Sequence, residues 1–404
     1  MTIRLVALIA GLFFGLGVVL DAFQTIILPR RPSGRLRITR LFYMLTWTPW
    51  VAVTERLQSQ KLRDQTYSVY GPLSLLLLLV VWALLLVMTF ALLYFSLGPK
   101  GLADHLTAGL GEFARLRTDF YLSGTTLFTL GLGDVTPLTL GARVLVVMEA
   151  GTGLGFVALV IGYVPVLYQA FSRREVSVAM LDARAGSPPT ATELIRRHGY
   201  EGGEAELIKL LAEWERWSAE ILESHISYPL LCYYRSQHDN QSWLSALTAI
   251  LDTCSLLITT IEGQTLRQAQ LTFAMARHAL IDLGHVFKLE EKTKAIAAAK
   301  EERMPTEVFH ELCEDLGELQ IRLCGDPAAM RRLKAIRLLY EPHAQALAEY
   351  LKMPLPLWIP EAKKTDPWKT VAGLTAAGEL ALRSIGHVSA QSTASHLHDE
   401  EHGT

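Results

Sequence analysis

Charge is scarce in this sequence of 404 residues. Asp, Glu, Lys and Arg make up 19% of it, whereas 50% of it is hydrophobic. The formal net charge of −2 gives no sign of a nucleic-acid partner, and we predict none. Residues 65–99 and 150–172 contain no acidic or basic residue at all. Uncharged apolar runs of this length are typical of helices that cross a membrane.

Motifs for catalysis are missing as well. The sequence contains no nucleophile motif, no phosphate loop and no glycine-rich fingerprint of a dinucleotide-binding domain. We therefore predict that the protein is not an enzyme and carries no cofactor. The cysteines show no CxxC spacing, and we expect all four to be reduced, partly buried thiols of a cytosolic domain. They are Cys232, Cys254, Cys313 and Cys324.

Three apolar segments are long enough to cross a bilayer, which takes about 20 residues. They lie at residues 1–28, 72–95 and 142–170. The first could instead be a signal peptide, because Arg4 precedes its apolar core. Leu20-Asp21-Ala22 is a poor cleavage site, which favours a retained helix.

Basic residues predict the orientation of these spans, because arginine and lysine are enriched on the cytoplasmic side. Arg173 and Arg174 follow the last span, and five arginines follow the first. We therefore predict a multi-pass protein of the cell (inner) membrane, with its N-terminus outside and its C-terminal domain in the cytoplasm. The five arginines are Arg30, Arg31, Arg35, Arg37 and Arg40.

The rest of the chain is expected to be helical. Apolar residues recur at i, i+3, i+4 spacing after residue 173, which predicts a cytosolic domain of about six helices. The most apolar of these, residues 243–261, is interpreted as a buried core helix rather than a span. Helix signals stop near Phe171 and resume near Thr190, which predicts a linker of about 20 residues.

The predicted fold class is all-α: a membrane module with one extra N-terminal transmembrane helix, plus an all-α cytosolic domain. An aromatic-rich stretch within residues 29–70 favours an interfacial helix after the basic loop, with a plain linker helix as the alternative. The predicted segments are a first transmembrane helix (1–28), a basic loop and interfacial helix (29–70), the membrane module (71–172), the cytosolic domain (173–385) and a disordered tail (386–404).

A short stretch between the second and third spans ends in two glycines spaced one residue apart, FYLSGTTLFTLGLGDVTP at 120–137. It is too short to cross the membrane, so it enters and leaves on one side. Non-helical backbone at membrane depth is tolerated where it lines a water-filled cavity. Gly131 and Gly133 adopt positive φ at little cost, so successive carbonyls can point the same way. Rings of such carbonyls replace the hydration shell of a monovalent cation.

The stretch resembles the selectivity filter of the potassium-channel P-loop superfamily, of the bacterial two-transmembrane pore-module type, whose signature is Thr-Val-Gly-Tyr-Gly-Asp. The resemblance covers roughly residues 72–172. It implies a pore of four chains with K⁺ as the permeant ion. Leu130 and Leu132 stand where the family has Val and Tyr, which implies a more yielding filter. The implied ion-binding residues are Thr129, Leu130, Gly131, Leu132 and Gly133, with Asp134 and Thr126 in support.

The third span carries three further candidates. Gly151 stands where the family often has a hinge glycine, with close helix packing as the alternative, which also suits Gly153. Pro165 lacks an amide donor and is expected to bend the helix. Glu149 is a carboxylate at membrane depth, and such groups are usually functional. We expect it to bond behind the filter, or to pair with Arg143 near the outer surface.

Two clusters in the cytosolic domain could bind ligands. His278, Asp282 and His285 share a helix face and could start a metal site, although a satisfied helix face is the preferred interpretation. A polar corner between two helices could hold a small molecule, or could serve for capping and interhelical hydrogen bonds. Its members are Arg235, His238, Asp239, Asn240 and Trp243.

Taken together, these patterns predict a homotetrameric potassium-selective channel in the lipid bilayer, gated or modulated by its cytosolic helical domain. The regulator would be a small molecule or a protein. A non-selective cation channel is one alternative. A membrane-anchored sensor or interaction protein with a vestigial pore is another. A transporter is less favoured, because no internal repeat is visible.

Overall fold

The computed structural model describes residues 2–28, 37–104, 111–200, 202–236, 241–260, 264–299, 303–317 and 327–359. These residues are almost entirely helical, as predicted. A π-helical turn, Phe23–Ile27, follows the first helix, and a 3₁₀ segment, Pro229–Tyr233, precedes the eighth. The helices are α1 (Thr2–Ala22), α2 (Ile38–Thr54), α3 (Gln60–Ser96), α4 (Glu112–Leu127), α5 (Leu140–Ala185), α6 (Ala191–Arg197), α7 (Gly203–Ser227), α8 (Trp243–Thr260), α9 (Gln264–Val286), α10 (Glu290–Ala299), α11 (Thr306–Gly317), α12 (Pro327–Arg337) and α13 (Glu341–Leu351).

Three helices are long and apolar enough to cross a membrane, which confirms the predicted spans. They are α1 with its π-helical turn, α3 and α5. α1 packs closely on α3 because two small residues one turn apart, Gly11 and Gly15, face it. A methyl group added at Gly15 would lie only 2.8 Å from the Thr89 side chain. Small residues at this spacing let membrane helices approach each other.

A two-stranded sheet flanks the short helix α4 and was not predicted. Strands β1 (Leu102–Asp104) and β2 (Val135–Pro137) pair antiparallel, with Leu102 opposite Pro137. The first strand precedes α4 and the second follows the two glycines. The pairing therefore brings the start and the end of the segment between α3 and α5 together.

The third span continues into the helical domain without a break, which corrects the predicted linker. α5 runs through Pro165 and past Phe171 to Ala185, and only residues 186–189 separate it from the N-cap Thr190 of α6. The helix persists because no breaker follows Pro165 before Gly186. Its last turns also bury apolar residues in the domain core, namely Val178, Leu181 and Ala185. The predicted boundary at residue 172 thus falls inside one helix.

The helical domain is built around α8. Nearly all described side chains of this helix are buried, and residues 243–247 are almost fully so. α7, α9, α12 and α13 pack around it. The prediction that this apolar segment is a core helix is therefore confirmed, since it is enclosed by protein on all sides.

Helix α2 lies lengthwise against the N-terminal half of α3 and also contacts the helical domain. The Thr46 hydroxyl lies 2.9 Å from the Tyr70 hydroxyl, and the Trp50 indole donates to the Thr66 carbonyl at 3.2 Å. Trp47 is buried, and its indole donates to the Tyr350 carbonyl of α13. The residues of α2 that lie away from these contacts expose an apolar stripe, namely Leu41, Met44, Leu45 and Val53.

The start of α2 is tied to the membrane helices by a buried carboxylate. Asp21 of α1 accepts hydrogen bonds from the backbone amide and the hydroxyl of Thr39, at 3.0 and 2.6 Å. It also accepts one from the Trp82 indole of α3 at 3.0 Å. The three elements are therefore locked together at one point. Arg30, Arg31 and Arg35 of the basic loop, and the tail at 386–404, lie outside the described residues.

The cysteines are only partly as predicted. Cys232 and Cys254 are free and fully buried. Burial raises the pKa of the Cys232 thiol to about 12, so it stays protonated and unreactive. Cys313, in contrast, is disulfide-bonded. The prediction of four reduced thiols was wrong here, because linear spacing does not show which thiols meet in space.

Candidate functional site

The candidate filter segment, residues 128–134, follows α4 directly. α4 ends where Thr129 adopts a positive φ of 59°, while its amide still donates to the Thr126 carbonyl at 3.0 Å. Gly131 and Gly133 also have positive φ, 53° and 81°. Positive φ therefore recurs at every second residue. Two of the three positions are glycines, which adopt it without strain.

The amides of this segment turn back toward the end of α4. Those of Leu130 and Gly131 both donate to the Thr125 carbonyl, at 2.7 and 3.3 Å. In a planar trans peptide the C=O points opposite to the N–H of the same peptide unit. The carbonyls of Thr129 and Leu130 therefore point away from α4, toward the same side. This arrangement presents two successive backbone oxygen acceptors on one side.

The whole segment is exposed in a single chain. Leu130 and Leu132 each show 64% of their surface, and residues 128–134 are exposed throughout. The two exposed leucines give the loop an apolar surface. Other copies of the chain, or lipid, can cover this surface. The segment cannot enclose an ion by itself, because the Thr129 and Leu130 carbonyls lie on one side of a single strand of backbone.

Tyr121 of α4 tethers the far end of the filter segment, a role that no motif in the sequence predicts. Its hydroxyl donates to an Asp134 carboxylate oxygen at 2.8 Å. The other oxygen of Asp134 accepts from the Val135 amide at 3.1 Å. Leu132 carries no hydroxyl and cannot make such a bond. Tyr121 therefore supplies a side-chain link between α4 and the segment.

Replacing Tyr121 with phenylalanine is expected to loosen the filter segment while the fold persists. The variant loses one exposed hydrogen bond, which contributes about 1 kcal/mol. We expect a severalfold drop in the ratio of potassium to sodium flux in vesicles, with the unfolding midpoint nearly unchanged. Tyr200→Phe is the matched control, because that exposed tyrosine lies in the helical domain. Equal flux ratios in both variants would contradict a tethering role.

Glu149 of α5 lies between α3 and α4 and is fully buried behind the filter segment. It accepts hydrogen bonds from the Tyr94 hydroxyl at 2.6 Å and from the Ser123 hydroxyl at 2.5 Å. Arg143, the alternative partner considered from the sequence, donates to the Pro137 carbonyl instead. A buried carboxylate with two hydroxyl donors joins three helices and thereby fixes how α4 sits between α3 and α5.

The glycines of α5 occupy different surroundings. At Gly153 an added methyl group would lie 2.0 Å from the Leu127 carbonyl oxygen, at the end of α4. Nothing lies within 4 Å of the same position at Gly151 or Gly155. Gly153 therefore serves close packing, whereas Gly151 has no packing role within one chain. Pro165 sits inside the unbroken helix.

The described members of the polar corner are engaged with the protein. The Arg235 guanidinium donates to the carbonyls of Leu351 and Lys352 at the end of α13, and it lies 3.6 Å from the Asp64 carboxylate. Trp243 is fully buried, and its indole donates to the Cys232 carbonyl. These contacts match the alternative of capping and interhelical bonding. The other three members, His238, Asp239 and Asn240, lie outside the described residues.

The histidine and aspartate set on α9 forms a local pair of contacts. His278 lies 3.5 Å and His285 3.7 Å from the Asp282 carboxylate. Among the residues that the structure describes, no group of three or more His, Cys, Asp or Glu side chains could hold a metal ion. The two imidazoles and the carboxylate lie on one face of α9.

Comparison with known proteins matches the region around the candidate filter segment. A family described as "Ion channel" matches residues 82–169, which run from the second half of α3 into the second half of α5. The uncharacterized membrane protein YdjJ of Bacillus subtilis (strain 168) is 27% identical over 188 residues, 46% of this chain and 52% of the relative. Protein LctB of Bacillus caldotenax is 32% identical over 119 residues, 28% of this chain and 78% of the relative. The chain thus spans about half the length of the first relative. No solved structure matches it.

Proposed function

The chain belongs to the same family as protein LctB and carries an ion channel domain, and on this basis we propose that it forms a tetrameric potassium-selective channel. The candidate filter segment supplies the ion-binding carbonyls. The helical domain, attached to α5, controls the gate. The protein is a multi-pass membrane protein. We propose that its N-terminus lies outside and its helical domain in the cytoplasm.

The observation that carries the proposal is the direction of the filter amides. Two successive amides, those of Leu130 and Gly131, donate to one carbonyl of α4, so the Thr129 and Leu130 carbonyls point to the opposite side. Stacked carbonyl oxygens are the ligands that replace the hydration shell of K⁺. The end of α4 carries partial negative charge as well, which favours a cation nearby.

Four chains are proposed because one chain contributes only part of a ring. All carbonyls of the filter segment lie on one backbone strand, which is exposed in the single chain. α5 is also widely exposed, with Val147, Leu154 and Ile161 each showing more than 60% of their surface. Lipid can cover one face of such a helix. Neighbouring copies of the chain and a central pore explain the exposure of its other faces.

Control by the helical domain is proposed because the two parts share a helix and a core. α5 enters the domain without a linker. Leu230 and Leu231 of the 3₁₀ segment pack in one buried cluster with residues of the membrane helices, including Trp82 and Leu167. Movement of the domain therefore displaces the cytosolic end of the inner helix. A ligand or partner that favours one arrangement shifts the gate.

Ion flux from vesicles that contain the purified full chain tests the proposal. We expect potassium flux to exceed sodium flux clearly, and native mass spectrometry to show four chains. Leu132→Tyr is expected to retain or sharpen the preference, since it leaves the carbonyls in place. Equal fluxes of the two ions would support a non-selective cation channel. A folded protein without any flux would support a membrane-anchored sensor.

A further inference from the structure

Arg174 of α5 enters the helical domain and is almost completely buried there. It lies just below the membrane part of α5, yet only 2% of its surface is exposed. Its Nη1 donates to the Leu231 carbonyl and its Nη2 to the Tyr234 carbonyl, both at 2.8 Å. Its Nε donates to the Glu175 carboxylate at 2.8 Å. The inner helix is therefore pinned to the 3₁₀ segment and to the residue that follows it.

A further neighbour of Arg174 is an imidazole from α7. Nη1 of Arg174 lies 3.2 Å from Nε2 of His225, which is 1% exposed. Nδ1 of His225 lies 3.0 Å from the Ser224 hydroxyl, and that hydroxyl donates to the Glu220 carbonyl at 2.6 Å. The hydroxyl oxygen is therefore left to accept a hydrogen bond from Nδ1–H. This assigns the hydrogen to Nδ1 and leaves the Nε2 lone pair to accept from Arg174.

The surroundings supply little negative charge for a second cation. Arg174 faces His225 from α5 and is itself paired with Glu175. On the 3₁₀ segment, Cys232 is a protonated thiol with its pKa raised to about 12 by burial. From α8 the neutral Trp243 ring lies 5.3 Å away. A proton on Nε2 would place two buried N–H donors face to face and remove the acceptor of one of them.

We propose that the contact between Arg174 and His225 is a proton-sensitive coupling between the inner helix and the helical domain. Protonation of His225 breaks the contact, loosens the cytosolic end of α5 from the domain and shifts the gate. Arg174 acts as a positioning residue, because it touches neither the ion nor the filter segment. The inference deepens the proposed function and rests on it where the gate is concerned.

The direction of the pH effect follows from the burial of His225. Burial first, and the Arg174 charge second, hold the pKa of His225 well below its ordinary value of 6.5. In the unfolded chain the imidazole binds a proton at a higher pH than it does here. The contact therefore contributes fully above about pH 6.5 and weakens as the pH falls below that value toward the lower folded pKa. Acid on the cytoplasmic side is the predicted stimulus.

Potassium flux from vesicles tests the coupling, with the internal and external pH set separately. In the wild type, lowering the pH on the side of the helical domain from about 7.5 to about 5 is expected to change flux by about threefold or more. His225→Gln keeps a neutral acceptor for Arg174 and should lose most of this response. Arg174→Gln at about pH 7.5 should shift flux in the same direction as acid does in the wild type, because both break one link. His310→Gln changes an exposed histidine of α11 and should leave the response intact.

Thermal unfolding of the full-length protein separates this inference from the proposed function. The wild type should lose several °C of its midpoint between about pH 7 and pH 5 relative to His225→Gln, whether or not it conducts ions. If the wild type conducts but its acid response persists unchanged in His225→Gln, or if it shows no acid response, the coupling is refuted. Equal loss of midpoint in both proteins also refutes it. If His225→Gln does not fold, Arg174→Gln is the test instead. It must also reduce the change of flux with acid, and an unchanged response refutes the coupling.

Discussion

Ion flux is expected to be lost when Gly153 is replaced by alanine. The added methyl group would lie 2.0 Å from the carbonyl oxygen of Leu127, 2.9 Å from its carbonyl carbon and 3.2 Å from its Cα. These are backbone atoms at the last residue of α4, so no side chain can rotate away to make room. α4 or α5 must move, and overpacking of this kind typically costs about 1–3 kcal/mol or more. The candidate filter segment starts at the next residue and takes up the movement.

The measurement compares potassium flux, thermal unfolding and native mass for two variants of one helix. Gly155→Ala is the matched control, because it lies two residues further along α5 and has nothing within 4 Å in the chain. Alanine favours a helix over glycine by about 1 kcal/mol, so the control should fold at least as well as the wild type. Normal flux and selectivity in Gly153→Ala would show that α4 does not depend on this close approach.

The second large effect is expected in the helical domain, where replacing Asp252 with alanine should unfold the region around α8. Asp252 is fully buried. Its oxygens accept from the Arg303 guanidinium at 2.6 and 3.1 Å and from the Tyr340 hydroxyl at 2.5 Å. Burial by itself would lower the pKa of Arg303, but the Asp252 carboxylate more than offsets this and raises it. Removal of the carboxylate leaves a buried cation with Glu341 as its remaining acidic neighbour.

Breaking a buried ion pair from one side destabilises a protein by about 3–5 kcal/mol. The unfolding midpoint of Asp252→Ala should therefore fall far below that of the wild type, and Asp252→Asn should lie between the two. The control is Glu220→Ala, which removes an exposed partner of Arg216 on α7 and should cost no more than about 0.5 kcal/mol. Similar midpoints for Asp252→Ala and the control would contradict the structural role of the buried pair.

Local pattern sufficed for the spans, for the short helix and glycine turn between them, and for the core helix α8. An uncharged run of this length has no stable alternative to a helix in a bilayer, and the two glycines mark where backbone must leave the helix. The continuation of α5 through residues 172–185 was missed because the prediction relied on apolar periodicity, the same pattern that identified α8. Periodicity shows an apolar face, but it does not show that Val178 and Leu181 find a core to enter.

The sequence could not show which side chains contact each other in the folded protein. Tyr121 and Asp134 are 13 residues apart and meet because α4 and the filter segment fold back on each other. Glu149 was singled out as a costly carboxylate, but its donors Tyr94 and Ser123 come from two other helices. Such contacts depend on how the helices are rotated and how closely they approach, which no single segment records.

The sequence by itself determined the chemistry of this protein: three apolar spans, a loop whose glycines allow carbonyls to line up, and a helical domain after them. These features depend on local backbone preference and on the cost of placing polar groups in lipid, so they can be predicted from short stretches. The tertiary structure alone decided that α5 is continuous and that Arg174 meets His225 across 51 residues of chain. A buried arginine is stabilised only where several acceptors converge, and that convergence exists only after α5, α7 and the 3₁₀ segment have packed together.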